Sequence, residues 1–196
     1  MQRPTTAPED TEHNAIFMTR DTPRSDPPFR IGHGYDLHRL EPQAPAGAGK
    51  PLVVGGVLLP QEHEGALGPV AHSDGDALLH ALTDAILGAA ALPDIGQLFP
   101  NDAPANQDRA SADFLAEAVR RMRGEGWELA NVDVTVLLQA PKLGPLKATI
   151  KAGLAEILGL PAVRVNVKGK TGEHIGPVGE GRAIEAHAVV LLCRRA

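Results

Sequence analysis

Cysteine is almost missing: Cys193 stands alone in 196 residues, so no internal disulfide can form and a reducing cytoplasm is the expected compartment. Aromatic residues make up only 3%, which leaves the core to Leu, Val, Ile and Ala. Positive charge is not in excess. The 19 Lys+Arg stand against 24 Asp+Glu, a formal charge of -5, which removes the electrostatic basis for non-specific nucleic-acid binding. No apolar run approaches the roughly 20 residues of a membrane span. The N-terminus lacks the basic-then-apolar order of a signal peptide. What the chain does have is 43% hydrophobic and 22% charged residues, enough for one domain around a sizeable core.

Residues 1–29 hold five prolines and many charges with no apolar period, and are expected to form a flexible extension before a domain spanning 30–196. Arg30–Leu40 suits a strand running into a polar loop. Pro51–Pro60 places two apolar runs around Gly55-Gly56, a hairpin signal. A helix is expected from Ser73 to about Leu92, capped by Ser73 or Asp74, with Asp76 in its first turn and Leu78, Leu79, Leu82, Ile86 and Leu87 as its apolar stripe. Ser111–Gly124 follows as a second helix whose basic end suits the helix dipole. Val132, Val134 and Val136 alternate as a strand, Pro145–Leu158 returns to helical spacing, Val163, Val165 and Val167 alternate again, and Ala183–Cys193 closes as an apolar strand. This order predicts an α+β fold: a mixed sheet with helices on one face.

Three segments carry chemistry. In Gly32-His33-Gly34-Tyr35-Asp36-Leu37-His38, Asp36 and His38 leave an extended segment on the same face and can take two corners of a tetrahedral metal. They could equally be polar residues of a solvated loop. On the first helix Asp76, His80 and Asp84 share a face, so His80 could be a third ligand flanked by carboxylates as its outer partners. Alternatively those carboxylates only cap and solvate the helix. His72 precedes the helix start, where free N–H groups attract phosphate oxygens. In Lys168-Gly169-Lys170-Thr171-Gly172-Glu173, a hydroxyl and a carboxylate two apart suit a phosphate oxygen and a divalent cation, or merely a strand-to-loop exit. The segment lacks the spacing of a Walker A loop.

Taken together, Gly32–His38, Ala71-His72-Ser73-Asp74-Gly75-Asp76, Leu79-His80-Ala81-Leu82-Thr83-Asp84, Asp94-Ile95-Gly96 and Leu98-Phe99-Pro100 resemble the 2-C-methyl-D-erythritol 2,4-cyclodiphosphate synthases, the IspF family of non-mevalonate isoprenoid synthesis. The resemblance runs from Arg30 to about Leu192. It implies a four-stranded sheet, a homotrimer with active sites between subunits, and release of CMP from 4-diphosphocytidyl-2-C-methyl-D-erythritol 2-phosphate by intramolecular phosphoryl transfer. It further implies Asp36, His38 and His80 as zinc ligands, and Glu173 as ligand of a Mg2+ or Mn2+ on the diphosphate. His72 and Thr171 are implied to steady the transition state. Ser73, Asp94, Ile95 and Gly96 would hold the methylerythritol and its phosphate, and Asp36, Leu37, His38, His72, Phe99 and Asp102 are also implied to bind the substrate. Leu138, Gln139, Ala140, Pro141, Lys142, Leu143 and Gly144, with Lys170 to Glu173 including Gly172, would hold the cytidine diphosphate. No nucleic acid or membrane partner is implied.

The chain departs from the family pattern at Asn101-Asp102-Ala103, at Lys170-Thr171-Gly172-Glu173, and at Gly176-Pro177 through Glu180-Gly181-Arg182. Two other functions fit the same residues. One is a zinc phosphohydrolase with Glu173 or Asp84 as base. The other is a non-catalytic trimer that binds isoprenoid diphosphates.

Overall fold

Two glycines of the first strand decide how closely sheet and helix meet. The structure is a computed structural model and describes residues 27–60, 66–100 and 102–195; most of the expected flexible extension, residues 1–26, lies outside them. In chain order the elements are β1 (Phe29–Pro42), β2 (Val53–Val54), β3 (Val57–Leu58), β4 (Leu67–Pro69), α1 (Ala77–Ala89), α2 (Ile95–Leu98), α3 (Ser111–Gly124), β5 (Trp127–Leu137), α4 (Lys147–Leu158), β6 (Val165–Lys170), α5 (Gly176–Gly179) and β7 (Ala183–Arg194). A Cβ on Gly32 would sit 1.9 Å from the carbonyl oxygen of Ala85, and one on Gly34 1.9 Å from that of Ala81. Without side chains at these positions, α1 lies directly on β1. By the two-residue period of the strand, Asp36 and His38 follow on the same face, opposite the N-terminal half of α1.

Among the described residues the main sheet has five strands in the order β4-β1-β7-β5-β6, parallel only between β5 and β6. The expectation of four strands misses β4. Its three residues pair with the end of β1 (Leu40 opposite Pro69), and Gly68 and Pro69 give no strand signal; proline is tolerated there because β4 is an edge. The expected hairpin is present as β2 and β3, with Val54 opposite Val57. Val163 is no strand residue but sits in a 3-10 turn, 86% exposed. The core lies between one sheet face and α1, α3 and α4. Leu78, Leu79, Leu82, Ile86 and Leu87 are buried there with Val134, Val136, Ala186, Ala188 and Val190. The opposite face leaves Ile31 69%, Tyr35 46%, Leu37 44% and Val189 42% exposed. No helix of the described residues is long and apolar enough to cross a membrane.

Helix α1 begins later than its sequence suggests. Gly75 takes φ +76°, and a Cβ there would meet Pro69, so residues 73–75 form a turn and not a first helical coil. Asp76 is the N-cap: its carboxylate accepts from the N–H groups of Leu78 and Leu79, both at 3.1 Å. The helix start is therefore already occupied, and these N–H groups are not free for a phosphate.

Candidate active site

Asp36 and His38 from β1 meet His80 from α1. The Oδ2 of Asp36 lies 3.0 Å from Nε2 of His38 and 3.1 Å from Nδ1 of His80, and the two ring nitrogens are 3.2 Å apart. A tetrahedral ion with bonds of about 2.0–2.1 Å needs ligand atoms roughly 3.3 Å apart, so this triangle fits one closely. One carboxylate oxygen and two imidazole nitrogens form a donor set suited to a divalent cation, and the three side chains are half-buried, open on one side. Burial pushes the Asp36 carboxyl up, but hydrogen bonds and charge from His38 and His80 outweigh it and hold the group well below the usual carboxylate range.

The open side faces a cavity of about 360 Å3 lined by Asp36, His38, His72, Ser73, His80, Asp84, Ile95, Gly96, Phe99, Asn106 and Phe114. The rings of Phe99 and Phe114 pack 4.6 Å apart, with the Arg109 guanidinium over both. Lys50 holds the loop bearing His72 and Ser73. Its Nζ donates to the carbonyls of His72 (3.0 Å) and Ser73 and to Asp108 Oδ1 at 2.7 Å. No motif in the sequence marks Lys50, which precedes a proline far from the segments it clamps.

The partners of His80 are not the carboxylates expected from helical spacing. Asp76 is fully buried, and its carboxylate turns to the N–H groups of Gly55, Gly56, Leu78 and Leu79 instead of the imidazole. Burial pushes this carboxyl up, against those hydrogen bonds, to about 6. Asp84 borders the cavity, but its carboxylate accepts the N–H of Ile95 at 2.8 Å and so anchors α2. Burial pushes Asp84 up as well. The Nε2 of His80 instead meets the hydroxyls of Ser111 at 2.8 Å and Ser73 at 3.2 Å. Sequence reasoning gave Ser111 no role beyond opening a helix; a lone serine at that position carries no signal until α3 is seen against α1.

The other expected site residues divide between two places. Asp94 caps α2 through the N–H of Gln97, and Asp102 is exposed. Leu37 points to the opposite sheet face, away from the cavity. Leu138, Lys142, Leu143, Gly144, Lys170 and Thr171 line a second, separate cavity of about 240 Å3, together with Lys147 and Gly169. Glu173 lies beside it on an exposed loop at φ +49°, its carboxylate accepting the Thr171 hydroxyl; Gly172 packs under Gly179. Gln139 reaches the ring of His174, while Ala140 and Pro141 form a cis peptide. One chain thus does not gather all expected residues around one cavity.

Comparison with known proteins agrees with this arrangement. The profile of the YgbB family matches residues 29–193. The chain is 48% identical over 178 residues to the chloroplastic 2-C-methyl-D-erythritol 2,4-cyclodiphosphate synthase of Arabidopsis thaliana, covering 91% of this chain and 73% of that protein. It is 50% identical to the synthase of Verminephrobacter eiseniae, over 84% of this chain and 86% of the relative. Among solved structures, a 2C-methyl-D-erythritol-2,4-cyclodiphosphate synthase superposes with a TM-score of 0.72 at 42% identity, covering 83% of this chain and 99% of that one. A CDP complex of IspF from Plasmodium falciparum superposes with a TM-score of 0.72 at 34% identity, over 86% and 97% of the two chains. With the match spanning nearly the whole described domain, the chain belongs to the YgbB family of 2-C-methyl-D-erythritol 2,4-cyclodiphosphate synthases.

Proposed function

We propose that this chain carries out its family's reaction, closure of 4-diphosphocytidyl-2-C-methyl-D-erythritol 2-phosphate to the 2,4-cyclodiphosphate with release of CMP, at a site built from both cavities. The observation that carries this is the triangle of Asp36, His38 and His80, open towards a pocket bordered by His72, Ser73, Ile95 and Gly96. The triangle would hold zinc, which when bound supplies a Lewis acid for a phosphoryl oxygen. Glu173 would hold a magnesium or manganese ion on the diphosphate. An oxygen of the 2-phosphate forms the new bond to the β-phosphorus while the bond from that phosphorus to the CMP oxygen breaks. The nucleophile is already an anion, so the chain's task is to fold the substrate and neutralise its charge. Ile95 and Gly96 would seat the methylerythritol. The imidazole of His72 would face the migrating phosphoryl group. Lys142 and Lys170 would offset the charge of the nucleotide, with the Thr171 hydroxyl turning from Glu173 to a phosphate oxygen.

A homotrimer in the cytoplasm completes this proposal. The half-site around the triangle and the half-site around Lys142 lie in separate cavities of one chain, which supports an active site shared by neighbouring copies. The exposed apolar row of Ile31, Tyr35, Leu37 and Val189 supports sheet-to-sheet packing between them. Incubating the purified chain with the cytidylyl substrate and divalent metal, followed by phosphorus NMR, should show CMP and the cyclic diphosphate appearing together. A linear phosphate product would instead establish a hydrolase.

A further inference from the structure

We propose that Ser111, oriented by Asp74, is the positioning residue that presents the Nδ1 lone pair of His80 to the metal position. The inference rests on the metal-binding reading of the triangle and extends it to two residues on other elements. Ser111 is fully buried as the first residue of α3. A serine hydroxyl has one hydrogen to give. Here it goes to Oδ1 of Asp74, while Oδ2 of the same carboxylate accepts the Ser111 backbone N–H at 2.9 Å. Asp74 Oδ1 also accepts the N–H of Asp76 at 3.2 Å, and an ionised carboxylate can only accept. The Ser111 hydroxyl, having spent its hydrogen, can meet Nε2 of His80 at 2.8 Å only as an acceptor. The ring hydrogen of a neutral His80 must then sit on Nε2. That leaves Nδ1, the nitrogen 3.1 Å from Asp36 and 3.2 Å from His38, with its lone pair directed into the triangle. A metal-ligating histidine is commonly fixed in this way through its other nitrogen. Ser73 is the weaker partner because it is farther from the same Nε2, at 3.2 Å; its oxygen also accepts the N–H of Gly75 and keeps a second lone pair for the Nε2 hydrogen.

Ser111→Ala is a clean probe, because the backbone N–H that Asp74 holds is retained and the start of α3 stays anchored. The zinc-loaded full chain, titrated with a chromophoric chelator, should lose about 10- to 100-fold in zinc affinity on Ser111→Ala. Ser111→Thr, which keeps the hydroxyl, should recover most of it. In metal-free, histidine-labelled chain, long-range nitrogen-15 spectra should place the His80 hydrogen on Nε2 in wild type and show a mixture of tautomers in Ser111→Ala. A Ser111→Ala chain that holds zinc as tightly as wild type, with His80 still protonated on Nε2, overturns the proposal while leaving the metal reading intact. A wild-type chain that retains no zinc overturns both.

Discussion

His80 and Asp76 sit one helical turn apart and do unrelated work. His80 is the third member of the candidate metal triangle; if that triangle holds zinc as proposed, His80→Ala should leave the purified chain without stoichiometric zinc by elemental analysis while its subunit mass distribution stays that of wild type. Asp76 is structural. Its carboxylate ties the hairpin turn at Gly55 and Gly56 to the start of α1 through four N–H groups. Asp76→Ala would orphan these buried donors and lose the cap, destabilising the fold by about 3 kcal/mol in urea denaturation. The pH dependence has a definite sign. With the folded value pushed up to about 6, against about 3.8 when unfolded, the folded chain holds a proton between those limits that the unfolded chain has lost. The stability owed to this group is therefore greatest near pH 4 and falls as pH rises towards 6, by at most about 1.4 kcal/mol per unit. Asp76→Asn removes the titration, so the wild type should lose stability relative to it over that window. A difference that grows in the opposite direction would show that the four N–H bonds outweigh burial. Spacing alone put Asp76 and Asp84 beside His80. The capping alternative foresaw the local donors of Asp76, Leu78 and Leu79, but spacing could not show the donors Gly55, Gly56 and Ile95, which only folding brings to the two carboxylates.

At the level of elements, the contact between β1 and α1 sets the geometry of the metal triangle. Gly34→Ala would place a methyl group 1.9 Å from a backbone oxygen of α1, so the helix must move away from the strand. Overpacking of this kind should cost about 3 kcal/mol or more and weaken zinc binding as His80 is carried off with the helix. Gly88→Ala is the control. It lies exposed in α1 with nothing within 4 Å of its Cβ, and should stabilise by up to about 1 kcal/mol through helix propensity. Urea melts and zinc competition on the two variants check both signs. The elements legible in the sequence are those with a sustained period. The apolar stripe of α1, the alternating valines of β5 and β6 and the span of α3 all follow from residue spacing. The start of α1, the edge strand β4 and the turn around Val163 do not. Each is decided by a few residues whose conformation answers to tertiary contacts, such as Gly75 packed against Pro69.

At the scale of the whole molecule, residue spacing put Asp36 and His38 on one strand face and offered His80 as a possible third ligand, but it was the resemblance to the family that joined the three into one cluster, as β1 and α1 bring them together. The separation of that cluster from Lys142, Lys170 and Thr171 was not, since sequence order says nothing about which cavity a residue enters from its own chain. The exposed apolar face of β1 and β7 offers a way to reunite them. If copies pack through it, light scattering should give a mass of about three times 20.6 kDa, and Tyr35→Lys, which buries a charge in each interface, should lower it. Shared sites make a sharper demand. A chain carrying His80→Ala lacks the metal half, and one carrying Lys170→Ala with Glu173→Ala lacks the nucleotide half, so each alone should be nearly inactive. When the two are unfolded and refolded together as mixed trimers, some boundaries pair an intact metal half from one copy with an intact nucleotide half from its neighbour. Random assembly at equal amounts gives that pairing at about a quarter of the boundaries of a heterologous ring, so about a quarter of wild-type activity should return. If each chain instead forms its own complete site, every site in the mixture carries one of the two lesions and no activity returns.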